Sequence, residues 1–267
     1  MFGVSCIGMR PQAKSNKSSV YHELVEAIEQ PGCPVCRLID RAVRQYIDVF
    51  FYENITTVAR RTEIREARGY CSVHGALLTG HTRMLGSAIV HQDVINDVLR
   101  ELNKTLPPTP LRPSTDAREA QGAGSMAGRK PNALDDLTAA PARNAALSAI
   151  RPKRMCPLCE YERDRESVQL RTLVDHMGEP ELRAAFEKSS GICLPHVQVM
   201  LGLRGVSADG LRTTLQIERD ILQRIKLELE AYIAKSNGSY DYEGMGDESD
   251  SPLRAIKLVS GRVFGRR

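Results

Sequence analysis

Six of the seven cysteines in this 267-residue chain fall in two kinds of close pair. Cys33 and Cys36 flank Pro34 and Val35, and Cys71 is followed three residues later by His74. Further along, Cys156 and Cys159 flank Pro157 and Leu158, and Cys193 is followed three residues later by His196. Two thiols with two residues between them can turn toward one ion, and a Cys-x-x-His pair can fill the other two corners of a tetrahedron. The chemistry this offers is metal ligation by thiolates and imidazole, with zinc as the ion that suits sulfur-rich tetrahedral donors.

The second set repeats the first. Cys36 and Cys71 are separated by 34 residues and Cys159 and Cys193 by 33, and both Cys-x-x-His pairs follow a Gly-x dipeptide, Gly69-Tyr70 and Gly191-Ile192. The offset is 123 for the first cysteine pairs (156 − 33) and 122 for the second (193 − 71), so a single deletion separates the copies. This is the signature of an internal duplication.

The elements that must position these groups read as helices. Beyond Cys36, the residues Leu38, Ile39, Ala42, Val43, Tyr46, Ile47, Val49 and Phe50 recur at helical spacing to about Glu53, and Asn54 interrupts them. A returning helix from about Thr57 to Arg68 ends at Gly69. In the second copy Arg163 to His176 and Pro180 to Lys188 repeat the arrangement around a Met177-Gly178 turn. A lead-in helix at Val20 to Glu29 and two long helices, marked by Met84 to Leu102 and Leu211 to Tyr232, complete an all-α fold. No segment alternates as a strand would.

A helical hairpin predicts that each copy closes on itself. That gives one site from Cys33, Cys36, Cys71 and His74, and another from Cys156, Cys159, Cys193 and His196, with two zinc ions per chain. Four protein ligands leave no corner for substrate, so the metal role is structural. An iron-sulfur cluster and a thioredoxin-type use of the Cys-Pro-x-Cys pairs are the competing readings.

Residues 106–154 break the pattern with seven of the fourteen prolines, eleven alanines and no aromatic residue. They read as a disordered linker. Its eight basic and four acidic residues account for the chain's formal charge of +4, so the folded parts are balanced and carry no case for a nucleic-acid-binding face, which leaves a nucleic-acid-associated factor relying on the basic linker and tail as an alternative reading. The organisation expected is an N-terminal extension (1–19), helical repeats at 20–105 and 155–237 around that linker, and a tail (238–267) that is first acidic, then basic. The 211–235 helix has near-heptad spacing and offers a homodimer or partner seam.

No apolar run is long enough to cross a membrane, and Met1 to Arg10 does not read as a secretory signal. Paired, undispersed cysteines point to a reducing compartment, the cytoplasm. There is no phosphate-cradling glycine loop, nucleophile elbow or His-Glu-x-x-His motif, and no catalytic residue is assigned. The chain reads as a binding or assembly module rather than an enzyme. Among other residues, Cys6 reads as a free thiol, and His22, His81, His91 and His176 read as helix residues without a carboxylate partner. Arg60, Arg61, Arg65 and Arg68, interleaved with Glu63 and Glu66, read as an exposed, salt-bridged helix.

With these motifs in view, the sequence resembles an uncharacterised bacterial family of domain-of-unknown-function type that shares the tandem Cys-Pro-x-Cys and Gly-x-Cys-x-x-His pattern. The similarity runs over Tyr21 to Lys104 and Met155 to Lys257, and includes Cys156 to Tyr161 and Gly191 to His196. It implies the helical fold and the eight ligand positions, and brings no established activity.

Overall fold

The structure is a computed structural model, and it describes residues 18–80, 84–105, 140–237 and 246–261. Cys6, His81 and most of the expected linker lie outside the described residues. Within them the chain forms eleven α-helices and no strand.

Helix starts follow the local chemistry. Ser18 caps α1 (Ser19–Ile28) by accepting the Tyr21 N–H at 3.4 Å, and Ser207 caps α10 (Ala208–Ser236) by accepting that of Gly210 at 3.1 Å. Pro34 and Pro157 open α2 (Pro34–Val49) and α7 (Pro157–Asp175). Proline suits a first turn because its missing N–H would have had no partner there. A π-helical segment, Phe50–Asn54, continues α2. Each of these two helices is followed by a nine-residue helix, α3 (Val58–Glu66) or α8 (Pro180–Lys188). An eight-residue helix comes next, α4 (Ser72–Thr79) or α9 (Leu194–Leu201), and then a long one, α5 (Met84–Thr105) or α10. Gly69 and Gly191 stand at the same place in the two series, both at positive φ, 93° and 71°. That conformation is open to glycine without a Cβ penalty.

The chain forms two compact units that do not follow the two halves of the sequence. One is built from the chain up to Ala42 and from Asp164 onward, and the other from Val43 to Arg163. The boundaries fall inside α2 and α7.

In the first unit, Leu24 and Ile28 of α1, Leu170, Leu173 and Val174 of α7, Phe186 of α8 and Ile221 of α10 are buried in an aliphatic core with few rings. Each such side chain removed from water stabilises the fold by about 1.5–3 kcal/mol. At Gly210 a Cβ would overlap the carbonyl oxygen of Val174, so α10 passes α7 at a distance only glycine permits. The buried face of α10 carries Thr214, Ile217, Ile221 and Ile225, so its periodicity serves this core. The expected tail is folded in part: a 3-10 turn at Asp247–Asp250 leads into α11 (Ser251–Ser260), which packs on α9 and α10.

In the second unit, Phe50, Phe51, Ile64, Leu78, Val90 and Val94 are buried. Arg60 pairs with Glu63 at 3.0 Å on the exposed side of α3, as expected, but the other arginines do not stay on a solvated face. Arg61 and Arg65 reach Asp93 of α5 at 2.6 and 3.3 Å, and Arg68 pairs with Asp97. Arg68 is held at φ 57° in a Schellman ending, in which the Gly69 N–H donates to the Ile64 carbonyl at 2.9 Å. The linker boundary also needs correcting, because α6 (Ala140–Ile150) is helical and packs on α5. Just beyond it the Lys153 N–H donates to the Glu66 carbonyl at 2.8 Å. Composition alone hid this, because an alanine-rich stretch with few large side chains gains order from a neighbouring face.

Candidate metal centres

All eight ligand candidates sit at helix N-termini. Cys71 and Cys193 are the N-cap residues of α4 and α9, with His74 and His196 in the first turn. Cys36 and Cys159 lie in the first turns of α2 and α7, and Cys33 and Cys156 immediately precede these helices. Unpaired backbone N–H groups and the positive end of the helix dipole favour thiolate there.

Two quartets form, each with its four ligand atoms within 4.8 Å of one another: Cys33, Cys36, Cys193 and His196 in the first unit, and Cys71, His74, Cys156 and Cys159 in the second. The expected partnership within each copy is therefore wrong: every quartet takes its Cys-Pro-x-Cys from one copy and its Cys-x-x-His from the other. The reason lies in helix lengths. From Pro34 the outgoing helical run is 16 + 5 = 21 residues, a rise of about 30 Å, while the nine residues of α3 return only about 13 Å. The 19 residues of α7 and nine of α8 show the same imbalance. A return of less than half the outgoing rise leaves each Cys-x-x-His pair short of its own Cys-Pro-x-Cys.

The distances are those of a tetrahedron around one ion. In the first quartet Cys33, Cys36 and Cys193 Sγ lie 3.4, 3.5 and 3.0 Å from His196 Nδ1, and Cys36 Sγ lies 3.6 Å from Cys193 Sγ. In the second, Cys71, Cys156 and Cys159 Sγ lie 3.2, 3.6 and 3.4 Å from His74 Nδ1, and Cys71 Sγ lies 3.6 Å from Cys159 Sγ. Zinc bonds of about 2.3 Å to sulfur and 2.0 Å to nitrogen give tetrahedral edges of about 3.8 Å between sulfurs and 3.5 Å between sulfur and nitrogen. Disulfide bonding, at about 2.05 Å, is far shorter than either sulfur pair, and all six thiols are free.

Three thiols and one imidazole at these separations do not share charge comfortably without a cation. Hydrogen bonding to Cys193 and Cys33 pushes the Cys36 thiol up, whereas hydrogen bonding from Cys33 and Cys36 pulls Cys193 down. Burial opposes thiolate at Cys156, but His74 and backbone N–H groups outweigh it and bring its pKa to about 6. Burial likewise opposes the charged form of His74 and His196. Thiols and a carboxylate overcome it, raising their pKa values to about 10 and about 11. The raised imidazoles and the lowered Cys156 and Cys193 thiols show that each quartet draws positive charge toward its sulfurs, the charge a metal ion would supply.

The sequence reading missed the carboxylates behind the histidines. Glu162 Oε1 lies 3.2 Å from His74 Nε2, and Glu166 Oε1 lies 3.4 Å from His196 Nε2. A carboxylate on the far nitrogen fixes the ring and leaves Nδ1 free to ligate. The signal was available: both lie on α7, three and seven residues beyond Cys159. Outside the quartets, His176 has a carboxylate partner after all, Glu179 at 2.6 Å, and His91 Nδ1 lies 2.7 Å from the Ser87 carbonyl oxygen. A cavity of about 190 Å³ borders the first quartet, lined by Cys36, Glu166, His196 and Gly261.

No helix among the described residues is long and apolar enough to cross a membrane. No solved structure matches the chain. An uncharacterised 23.9 kDa protein encoded in the xynA 3' region of Caldicellulosiruptor sp. (strain Rt8B.4) is 22% identical over 249 residues, spanning 89% of this chain and 99% of that protein. The model of a family of unknown function, DUF6062, matches residues 22–265. With nearly the whole helical chain and all eight ligand positions inside that match, the protein belongs to the DUF6062 family.

Proposed function

We propose that each quartet holds one zinc ion in a structural role, that the two sites derive from an internal duplication whose halves exchanged ligand pairs, and that the chain works as a cytoplasmic binding or assembly module. The observation that carries this reading is the pair of Cys3His quartets with ligand atoms within 4.8 Å. That spread closes on a single ion, and an iron-sulfur core, with several metals between its ligands, needs more room. Four protein ligands complete the shell. Glu162 and Glu166 supply the support behind histidine that such sites use. When bound, the ion supplies charge compensation for three thiolates and a cross-link between distant segments.

Thiol-redox use of the Cys-Pro-x-Cys pairs leaves the four Cys-x-x-His residues without a purpose. The test is elemental analysis of protein purified without added metal, followed by chelation under circular dichroism. Two equivalents of zinc in a colourless protein, with helicity lost on chelation, are expected. Structural zinc in a set of this kind contributes about 10 kcal/mol of folding free energy at neutral pH. Visible absorbance with iron, or full helicity after complete metal removal, contradicts the reading.

A further inference from the structure

A cleft of about 270 Å³ opens in the first unit between the loop before α2, the end of α8, and the facing sides of α10 and α11. Its lining is cationic: Lys188, Arg224, Arg254 and Lys257, against the single carboxylate of Asp250. Arg254 is neutralised, by Asp250 at 2.7 Å and by Glu228 at 2.6 Å. The other three are not. Among the described residues Arg224 donates to the backbone carbonyls of Ser189 and Glu187, at 2.7 and 3.4 Å, and no carboxylate lies within ion-pair distance of Arg224, Lys188 or Lys257. Three uncompensated cations around one cleft repel one another unless a counter-charge enters.

Cys33 forms part of the wall and offsets some of this charge. Three thiolates, a neutral imidazole and a divalent ion sum to −1, a figure that rests on the zinc reading above. With Arg254 and both of its carboxylates counted, the cleft keeps a balance of about one positive charge, which favours an anion such as a phosphate monoester. Ser190 adds a hydroxyl, whose oxygen accepts the Gly32 N–H at 3.0 Å and whose own hydrogen is free to donate. Ile225 and Leu258 give the cleft an apolar side, so the ligand it fits carries its phosphate on an apolar body.

We propose that this cleft binds such a phosphate, with Lys188, Lys257 and Arg224 as the charge-recognising residues. Phospholipid headgroups and soluble phosphate esters share that chemistry. Calorimetric titration of the full chain with phenyl phosphate, beside sedimentation with phosphatidic-acid vesicles and with neutral phosphatidylcholine vesicles, separates the two sources. Binding to phenyl phosphate assigns a soluble ester. Binding only to the phosphatidic-acid vesicles assigns a headgroup. In either case the Lys188→Ala/Lys257→Ala double variant weakens binding about tenfold or more, with helicity and metal content unchanged because both lysines are exposed and unpaired. Absence of binding to both probes at about 10 mM phosphate, or binding indifferent to the double variant, overturns the proposal. Metal analysis of the same samples keeps the two readings apart: no binding with two ions present refutes the cleft alone, and binding with no ion present upholds the cleft while refuting the zinc.

Discussion

Cys36 Sγ lies 3.6 Å from Cys193 Sγ although they stand 157 positions apart in the sequence. A contact of such range makes each metal centre a tie between the two halves of the sequence. On the proposed reading an ion held there closes a long loop, which is where a cross-link constrains the unfolded chain most.

Counting ions in double variants tests that pairing directly. Cys36→Ser with Cys193→Ser strikes one quartet twice, and the variant retains one zinc per chain. Cys36→Ser with Cys71→Ser strikes both quartets and leaves none bound tightly. Pairing within each sequence copy gives the reverse counts, so elemental analysis of the two proteins decides between them.

Glu162 and Glu166 orient the imidazoles from behind. Replacement of either by Gln keeps a hydrogen-bonding group of the same size and removes the charge that raises the ligand's basicity. Zinc affinity at the affected site is expected to fall about 10- to 100-fold, the usual effect of losing such a partner. Competition with a chromophoric chelator measures it. Equal affinity in wild type and both variants would remove these residues from the account.

Glu218 is 2% exposed, accepts the Ile192 N–H at 3.0 Å and has no hydrogen-bond partner for its other carboxylate oxygen. Burial pushes its pKa from 4.5 up to about 7, against the Ile192 hydrogen bond and with help from the charge of Cys193. Between these values the folded protein keeps a proton that the unfolded chain has released. Stability from this group is thus full below about pH 4.5 and lost as pH rises through 7. Glu218→Gln retains the acceptor and removes the titration. Its advantage over wild type is expected to grow from near zero at pH 4.5 to about 2–3 kcal/mol at pH 8, read from urea unfolding at fixed zinc. A constant difference across that range would refute the assignment.

Gly210 lets α10 pass against the Val174 carbonyl. Gly210→Ala favours the helix locally, yet its methyl group meets backbone that has no rotamer to change. The expected result is a net loss of about 1–3 kcal/mol, seen as a lower thermal midpoint with metal content unchanged. A gain in stability would show that the two helices separate without cost.

Seven of the eleven helices among the described residues, α1, α2, α3, α5, α7, α8 and α10, and the eight residues that gather in the quartets were legible along the chain, because each depends on local information: apolar spacing of 3.6, Pro34 and Pro157 at helix starts, Gly69 as a stop, cysteines two residues apart. Which pair meets which was not local. It follows from the rise of α2 and α7 exceeding that of α3 and α8, a difference that boundary errors of a few residues conceal. The folding of α4, α6, α9 and α11 was also not read; α6 and α11 lie on neighbouring helices, which lend order to short stretches. The same holds for Glu162, Glu166 and Glu218: a carboxylate on a helix reads as solvated until the structure places an imidazole, or the backbone N–H of Ile192, beside it. Residue type and spacing determined which side chains could ligate a metal, and the three-dimensional path of the chain decided that each ligand quartet draws on both halves of the sequence.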